Sequence, residues 1–407
     1  MKSLKIIFPL LVLFFLVLAM LPAYAANSEI MYAAIPSGTL YQIDTGTNTV
    51  TSTIPTSTDP WFLCANPSGS YVYIADDSMN NRIAILQPIS NNINYIALPQ
   101  QPGSLVTNSN GTMLYVALET EVAFIHLNSN SQISYVSIPG AITTQSITIT
   151  PDGSKLYVTD IDANKVYVIS TISMSLIATI NVGTYPFSIA ASSLGDKVFV
   201  TSNDNLNGNS TISVISTATN TIISNITTPW YADWVTVDKS GNSFYLSCGY
   251  NHIVQKYSMS TYALQGSVSI PTSGYGADDP TTSTWSQNGN LYVVHGVNVT
   301  SINTGSLSVV ANINTGGPST SQIQSLITVI PTLEVGQTVS NTLVELISHQ
   351  NYNVFYPGTT FSIFNNLNQL WHRIEKSQDN ALENRCKPVI CVVFNKLPYR
   401  HSRYSHP

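Results

Sequence analysis

Four short stretches gather aromatic rings and carboxylates: Asp59-Pro60-Trp61, Tyr185-Pro186-Phe187, Tyr231-Ala232-Asp233-Trp234 and Asp278-Asp279. An aromatic face stacks on the apolar side of a sugar ring while a carboxylate accepts the ring's hydroxyls, and the same pair attracts a cation through charge and π-face together. Asp59, Trp61, Tyr185, Phe187, Tyr231, Asp233, Trp234, Asp278 and Asp279 are therefore candidate ligand-binding residues. The plainer reading is structural, since aromatic residues also pack between neighbouring repeats and Asp also caps hairpins.

Other chemistry is thinly represented, and no catalytic residue, metal ligand or cofactor is expected. A hydrolase would need a base or a metal set. Before the last 76 residues the chain offers only His126, His252 and His295, of which His252 alone is expected in a loop facing the candidate residues. Gly-x-Ser-x-Gly, His-Glu-x-x-His and paired Cys-x-x-Cys patterns are absent. Asp160-Ile-Asp162-Ala-Asn164 and Asn203-Asp-Asn205-Leu-Asn207-Gly208 alternate oxygen ligands as calcium loops do, but neither is followed by the distant bidentate Glu, and both read as hairpin turns.

The elements that must position these residues come from a repeat. Tyr32, Tyr73, Tyr115, Tyr157, Phe199, Tyr245 and Tyr292 follow one another at intervals of 41, 42, 42, 42, 46 and 47 residues. Around each lie four short apolar or alternating runs bounded by Gly, Pro, Asn and Asp, as in the copy from Pro151 to Ser192. Seven such units predict an all-β, seven-bladed β-propeller, in which each blade buries its apolar faces against its neighbours. Between the first and second runs a tight turn carries Gly69, Gly111, Gly153, Gly195, Gly241 or Gly289, where a positive φ is required. The first unit lacks its innermost strand, and the segment 321–330 matches one, so the ring should be closed by a C-terminal inner strand.

Leu156-Tyr-Val-Thr159, Thr45-Gly-Thr-Asn-Thr-Val50, Ser216-Thr-Ala-Thr-Asn-Thr221 and Val182-Gly-Thr-Tyr-Pro186 resemble the YVTN-type propeller repeat. The resemblance spans roughly residues 29–331. It implies the fold, and for function it implies several classes: cell-surface proteins, nucleic-acid binders, lactonase-like enzymes and subunits of redox enzymes.

In a propeller, the loops joining outer to next inner strand and second to third strand share one face. Asp59, Asp76, Asp77, Glu119, Glu121, Asp160, Asp162, Asp204, Asp233, Asp278 and Asp279 are expected there, while Lys155, Lys197 and Lys239 fall by the turns of the opposite face. Residues 26–331 hold six Lys and Arg against sixteen Asp and Glu, which makes this region net negative by ten. A phosphate backbone is bound through Lys and Arg, so nucleic acid is a poor partner for this surface. The leading expectation is a monomeric binding module for a protein, a glycan or a cationic group; the alternative is a lactonase-like hydrolase with its site at the same channel mouth.

The ends differ from the ring in composition. Residues 1–25 carry Lys2 and Lys5, an apolar run from Ile6 to Leu21 and Ala23-Tyr24-Ala25, the pattern of a signal peptide, and imply export to the periplasm, cell surface or medium. The run is shorter than the ~18 to 20 residues of a membrane span, so the mature chain is expected to have none. The propeller is expected over 26–331 and a partly helical or irregular extension over 332–407. In that extension Ile363, Leu367, Leu370, Trp371 and Ile374 recur at helical spacing, Val389 to Phe394 reads as a strand, and the last 36 residues hold seven Lys and Arg against three acids. It reads as a loose tail, as a basic arm for the acidic face, a membrane or a partner, or as a change of reading frame. Cys64 and Cys248 should be separate buried thiols, whereas Cys386 and Cys391 are close enough in sequence to pair.

Overall fold

The computed structural model describes residues 29–331 apart from 37, 57–58, 77–79, 128–131, 205–208, 230, 250, 272–279 and 318–322, and beyond them Ser362–Ile363 and Val392–Val393. Residues 1–25, expected to be a signal peptide, and Asp77, Asp278, Asp279, Cys386 and Cys391 lie outside the described residues. The chain divides into two compact units, Met1–Pro331 and Thr332–Pro407.

The first unit is all β, with seven four-stranded antiparallel sheets among the described residues, each laid out from an inner to an outer strand. It is a seven-bladed β-propeller. The inner strands of blades 1 to 7 are Ser325–Val329, Pro60–Ala65, Pro102–Thr107, Thr144–Ile149, Pro186–Ala191, Ala232–Val237 and Pro280–Trp285. Each packs on the inner strands of its two neighbours, and the seventh meets the first, closing the ring. The second strands are Ile30–Ile35, Val72–Asp76, Met113–Leu118, Lys155–Asp160, Lys197–Asp204, Ser243–Cys248 and Asn290–His295. They are covered on both faces by adjacent blades, which explains why they read as near-continuous apolar runs, whereas outer strands such as Ser175–Asn181 alternate exposed and covered residues. All seven repeat aromatics lie on second strands and none is more than 4% exposed.

Blades are also joined by polar bonds from the repeat residues themselves. The Tyr157 hydroxyl of blade 4 donates to Asn220 Oδ1 of blade 5 at 2.7 Å, and the Tyr292 hydroxyl of blade 7 donates to Asn48 Oδ1 of blade 1 at 2.6 Å. Asn48 and Asn220 hold φ of 54–56° at the tips of their hairpins, a conformation Asn tolerates better than most residues.

Closure follows the expectation from the unpaired first blade. Ser325–Val329 pairs antiparallel with Ile30–Ile35, with Ile30 opposite Val329 and Ala34 opposite Ser325. A second fastening is Glu29, 8% exposed, whose carboxylate accepts from the Gln287 amide at 3.0 Å, from Thr45 Oγ1 at 3.0 Å and from the Ser286 hydroxyl, tying blade 1 to the blade 7 turn. Gly69, with φ of 74°, lies against the end of the closing strand: a Cβ there would stand 2.0 Å from the Ile330 carbonyl oxygen.

In the second unit Ser362–Ile363 pairs antiparallel with Val392–Val393. The strand expected between Val389 and Phe394 is thus present in part. Ile363, expected to open an amphipathic helix, is instead extended, as a β-branched residue opposite the β-branched Val392 favours; the remainder of that expected helix lies outside the described residues.

Candidate functional site

Each inner strand of blades 2 to 7 starts with a break in register, between Pro60 and Phe62 in blade 2, Pro186 and Ile189 in blade 5, and Ala232 and Trp234 in blade 6. Bulges of this kind re-aim side chains and often lie beside functional sites. The repeat shows which positions they re-aim. Cys64, Ala190, Thr236 and Ile327 pair with the repeat aromatics Tyr73, Phe199, Tyr245 and Tyr32, and three residues upstream of them stand Trp61, Phe187, Asp233 and Gln324. Two residues upstream of Cys64, Thr236 and Thr284 stand Phe62, Trp234 and Thr282.

These seven residues, with Tyr185, Tyr231 and Asn203, line a cavity of ≈ 270 Å³. Six of the candidate residues therefore come together: Trp61, Tyr185, Phe187, Tyr231, Asp233 and Trp234. Sequence reasoning assigned the rings to loops; Trp61, Phe187 and Trp234 belong to the first turns of inner strands, because the bulge lets a strand residue face the channel as a loop residue would. Trp61 of blade 2 and Trp234 of blade 6 also pack on one buried cluster that includes Phe62 and Leu105, so non-neighbouring blades share an apolar cluster there. The Tyr185 and Phe187 rings lie parallel within 7°, centroids 6.3 Å apart, and Tyr185 remains 39% exposed.

Tyr185 and Tyr231 occupy the same place in their blades, just before the inner strand, and both are left-handed, at φ of 51° and 57°. Asp59, Gln101 and Thr143, at that place in blades 2 to 4, are not. Such a backbone costs a bulky residue on the order of 1–3 kcal/mol and persists only where the surroundings impose it. Here the Tyr185 amide donates to Asn164 Oδ1 at 2.8 Å, its carbonyl accepts from the Asn203 amide at 3.3 Å, and the Tyr231 carbonyl accepts from the Gly249 amide at 2.8 Å.

Among the described residues Asp233 is the one acid of the lining, and none of them is Lys, Arg or His. Asn203 Nδ2 donates to Asp233 Oδ1 at 2.7 Å, Ser210 Oγ donates to Asn203 Oδ1 at 2.6 Å, and the Ala232 amide donates to Ser210 Oγ at 3.3 Å, which fixes the carboxylate from blade 5. Burial, then the charge of Asp233, push the Cys248 thiol up to about 12.

The other acids of this face split by role. Asp59 does not line the cavity. Its amide donates to Asp76 Oδ1 at 3.0 Å, and burial followed by the Asp76 charge holds its carboxyl above the ordinary value. Asp76 is fully buried and paired with Arg82 at 2.7 Å, and the Arg82 guanidinium lies 4.1 Å from the centre of the Tyr95 ring. Asp160, also fully buried, accepts backbone amides of Ile142, Thr143, Asp162 and Ala163. The first of the two calcium-like loops is therefore a hairpin organised by its own carboxylate, and residues 205–208 of the second lie outside the described residues. His295 is fully buried, with Nε2 within 2.7 Å of Thr300 Oγ1, as a core residue; His126 is an exposed strand residue. Among the described residues no three His, Cys, Asp or Glu side chains are grouped to share a metal ion, and no helix is long and apolar enough to cross a membrane.

Fold and cavity together define a seven-bladed propeller with a cavity whose described lining sets aromatic rings around the Asp233 carboxylate. No family model and no curated protein matches the sequence. Solved structures do match in shape. A hydrazine synthase structure from Kuenenia stuttgartiensis is similar at 16% identity and a TM-score of 0.55, over 61% of this chain and 78% of that one. A functionally unknown protein from Desulfotomaculum acetoxidans is similar at 14% identity and a TM-score of 0.60, over 74% of this chain and 99% of that one. At these identities the likeness speaks for the fold alone.

Proposed function

We propose that this chain is an exported, monomeric propeller of the YVTN-repeat kind that acts as a binding module, seating a glycan, a cationic group or a protein segment at the aromatic cavity. The observation that carries the reading is the convergence of rings from blades 2, 5 and 6 on Asp233, with two of those rings, Tyr185 and Tyr231, held in a backbone conformation tyrosine disfavours. Strain kept at the mouth of a cavity fits selection for the shape of that mouth better than selection for stability. Lys2 and Lys5, the apolar run after them and Ala23-Tyr24-Ala25 support export, and the absence of a basic residue among the described lining residues disfavours nucleic acid.

A glycan array and a panel of lactones, run on the purified protein and on Tyr185→Ala and Asp233→Asn, test this. The expected outcome is binding that falls at least tenfold in both variants, with no lactone turnover. Lactone turnover that survives Tyr185→Ala but is abolished by Asp233→Asn would replace the binding module with a hydrolase at the same mouth.

A further inference from the structure

We infer that the ligand of this cavity is a compact alkylammonium cation, of the trimethylammonium type, with Asp233 as its counter-charge; the inference rests on the cavity being the binding site. Charge is the first reason. Among the described residues the lining holds one carboxylate and no basic side chain, so a bound cation meets attraction from it, and the aromatic rings of Trp61, Tyr185, Phe187, Tyr231 and Trp234 offer π-density around it. Size is the second. A cavity of ≈ 270 Å³ falls just below the about 300–1,000 Å³ usual for drug-sized ligands, which suits a headgroup.

The third reason is the state of the polar groups. A sugar ring needs several donors and acceptors ready to pair with its hydroxyls. Here Asn203 gives its amino group to Asp233 and its carbonyl oxygen to Ser210, and Tyr231, Asp233 and Gln324 each have further interactions within the protein. A methylated ammonium asks for none of these bonds, only for a charge and for apolar faces against its methyl groups. Over longer range, the net negative charge of residues 26–331 raises the local concentration of cations at the channel mouth.

Indole fluorescence titrations of the full protein with choline, tetramethylammonium, the neutral carbon isostere dimethylbutanol and a set of monosaccharides decide the matter, read for the parent and for Asp233→Asn and Tyr185→Ala. Choline is expected to bind at least tenfold tighter than its isostere, Asp233→Asn to erase that preference, and Tyr185→Ala to weaken both probes. Equal affinity for choline and isostere, or binding of a monosaccharide but not of choline, overturns the cation while the site stands. If none of the probes binds the parent protein, cation and site fall together. Circular dichroism of both variants separates lost binding from lost fold.

Discussion

Tyr185 combines three properties that rarely coincide: a large ring, partial exposure and a left-handed backbone. Replacing it with Gly removes a strain of about 1–3 kcal/mol but forfeits a ring contact with Phe187 worth about 0.5–1.5 kcal/mol, the remaining burial of the ring and about 0.5–1 kcal/mol of backbone entropy, so Tyr185→Gly should melt close to the parent while binding at least tenfold more weakly. A large drop in melting temperature would mean the ring is there for packing. Titration of the buried phenols gives a second expectation. Burial first of all pushes the hydroxyls of Tyr157, Tyr167, Tyr245 and Tyr257 from 10.0 up to about 12. Between those values the unfolded chain has released protons that the folded ring still holds, so stability is at its full value below pH 10 and falls as pH rises toward about 12. Denaturant midpoints followed alongside tyrosinate absorbance should decline together in that window. The rings of the site were legible in the sequence because they gather, most of them beside carboxylates, in the short stretches that lead into the inner strands. Asn203, Thr282 and Gln324 were not, since small polar residues fill every turn of this chain and only their register from the repeat tyrosines sets them apart.

Blade-to-blade contact depends on the hairpin tip between third and outer strands. Asn48 and Asn220 receive a tyrosine hydroxyl there, while Tyr262 packs edge-on against Phe199 and Leu307 takes the space beside Gly266. In blades 1, 5, 6 and 7 this left-handed position thus fastens the blade to its predecessor, by a hydrogen bond in the first two and by packing in the others. Tyr157→Phe should cost about 0.5–1.5 kcal/mol, and Asn220→Gly, which keeps the left-handed tip but also gives up the Lys155 Nζ bond to Oδ1 at 3.3 Å, should show coupling to it of up to about that size; a double-mutant cycle in denaturant measures it. The Thr-x-Thr-Asn-Thr signature announced this lock in blades 1 and 5. The bulges that open the inner strands were less visible. Pro60, Pro102, Pro186 and Pro280 mark the first residue of four of them, where no ladder amide is needed, but a register break is a property of two paired strands and leaves no fixed residue type behind.

For the molecule as a whole, closure is the decisive event, and Gly69 measures it. Gly69 and Gly153 share a φ of 74°, yet a Cβ on Gly69 would meet the Ile330 carbonyl oxygen at 2.0 Å whereas one on Gly153 meets nothing within 4 Å. Both alanine variants carry the backbone penalty of about 1–2 kcal/mol; only Gly69→Ala must also displace the closing strand. A melting difference between the two variants reads the worth of that strand, and equal melting would show that closure contributes nothing. The seven-fold repeat made the ring and its missing strand legible together, because a blade that begins at its second strand can be completed only from the far end of the chain. Ile30 and Val329 lie opposite each other at one end of their ladder, so the two ends of the ring leave from neighbouring strands on the same side. Tension between those ends would load the ladder one hydrogen bond at a time, peeling it like a zipper, where a pull along opposed strand directions would have to shear all of them at once. Tweezers with handles at residues 29 and 331 should record Ser325–Val329 detaching first, at low force and reversibly, before any other blade extends: under tension, the blade that completes the ring is its mechanical fuse.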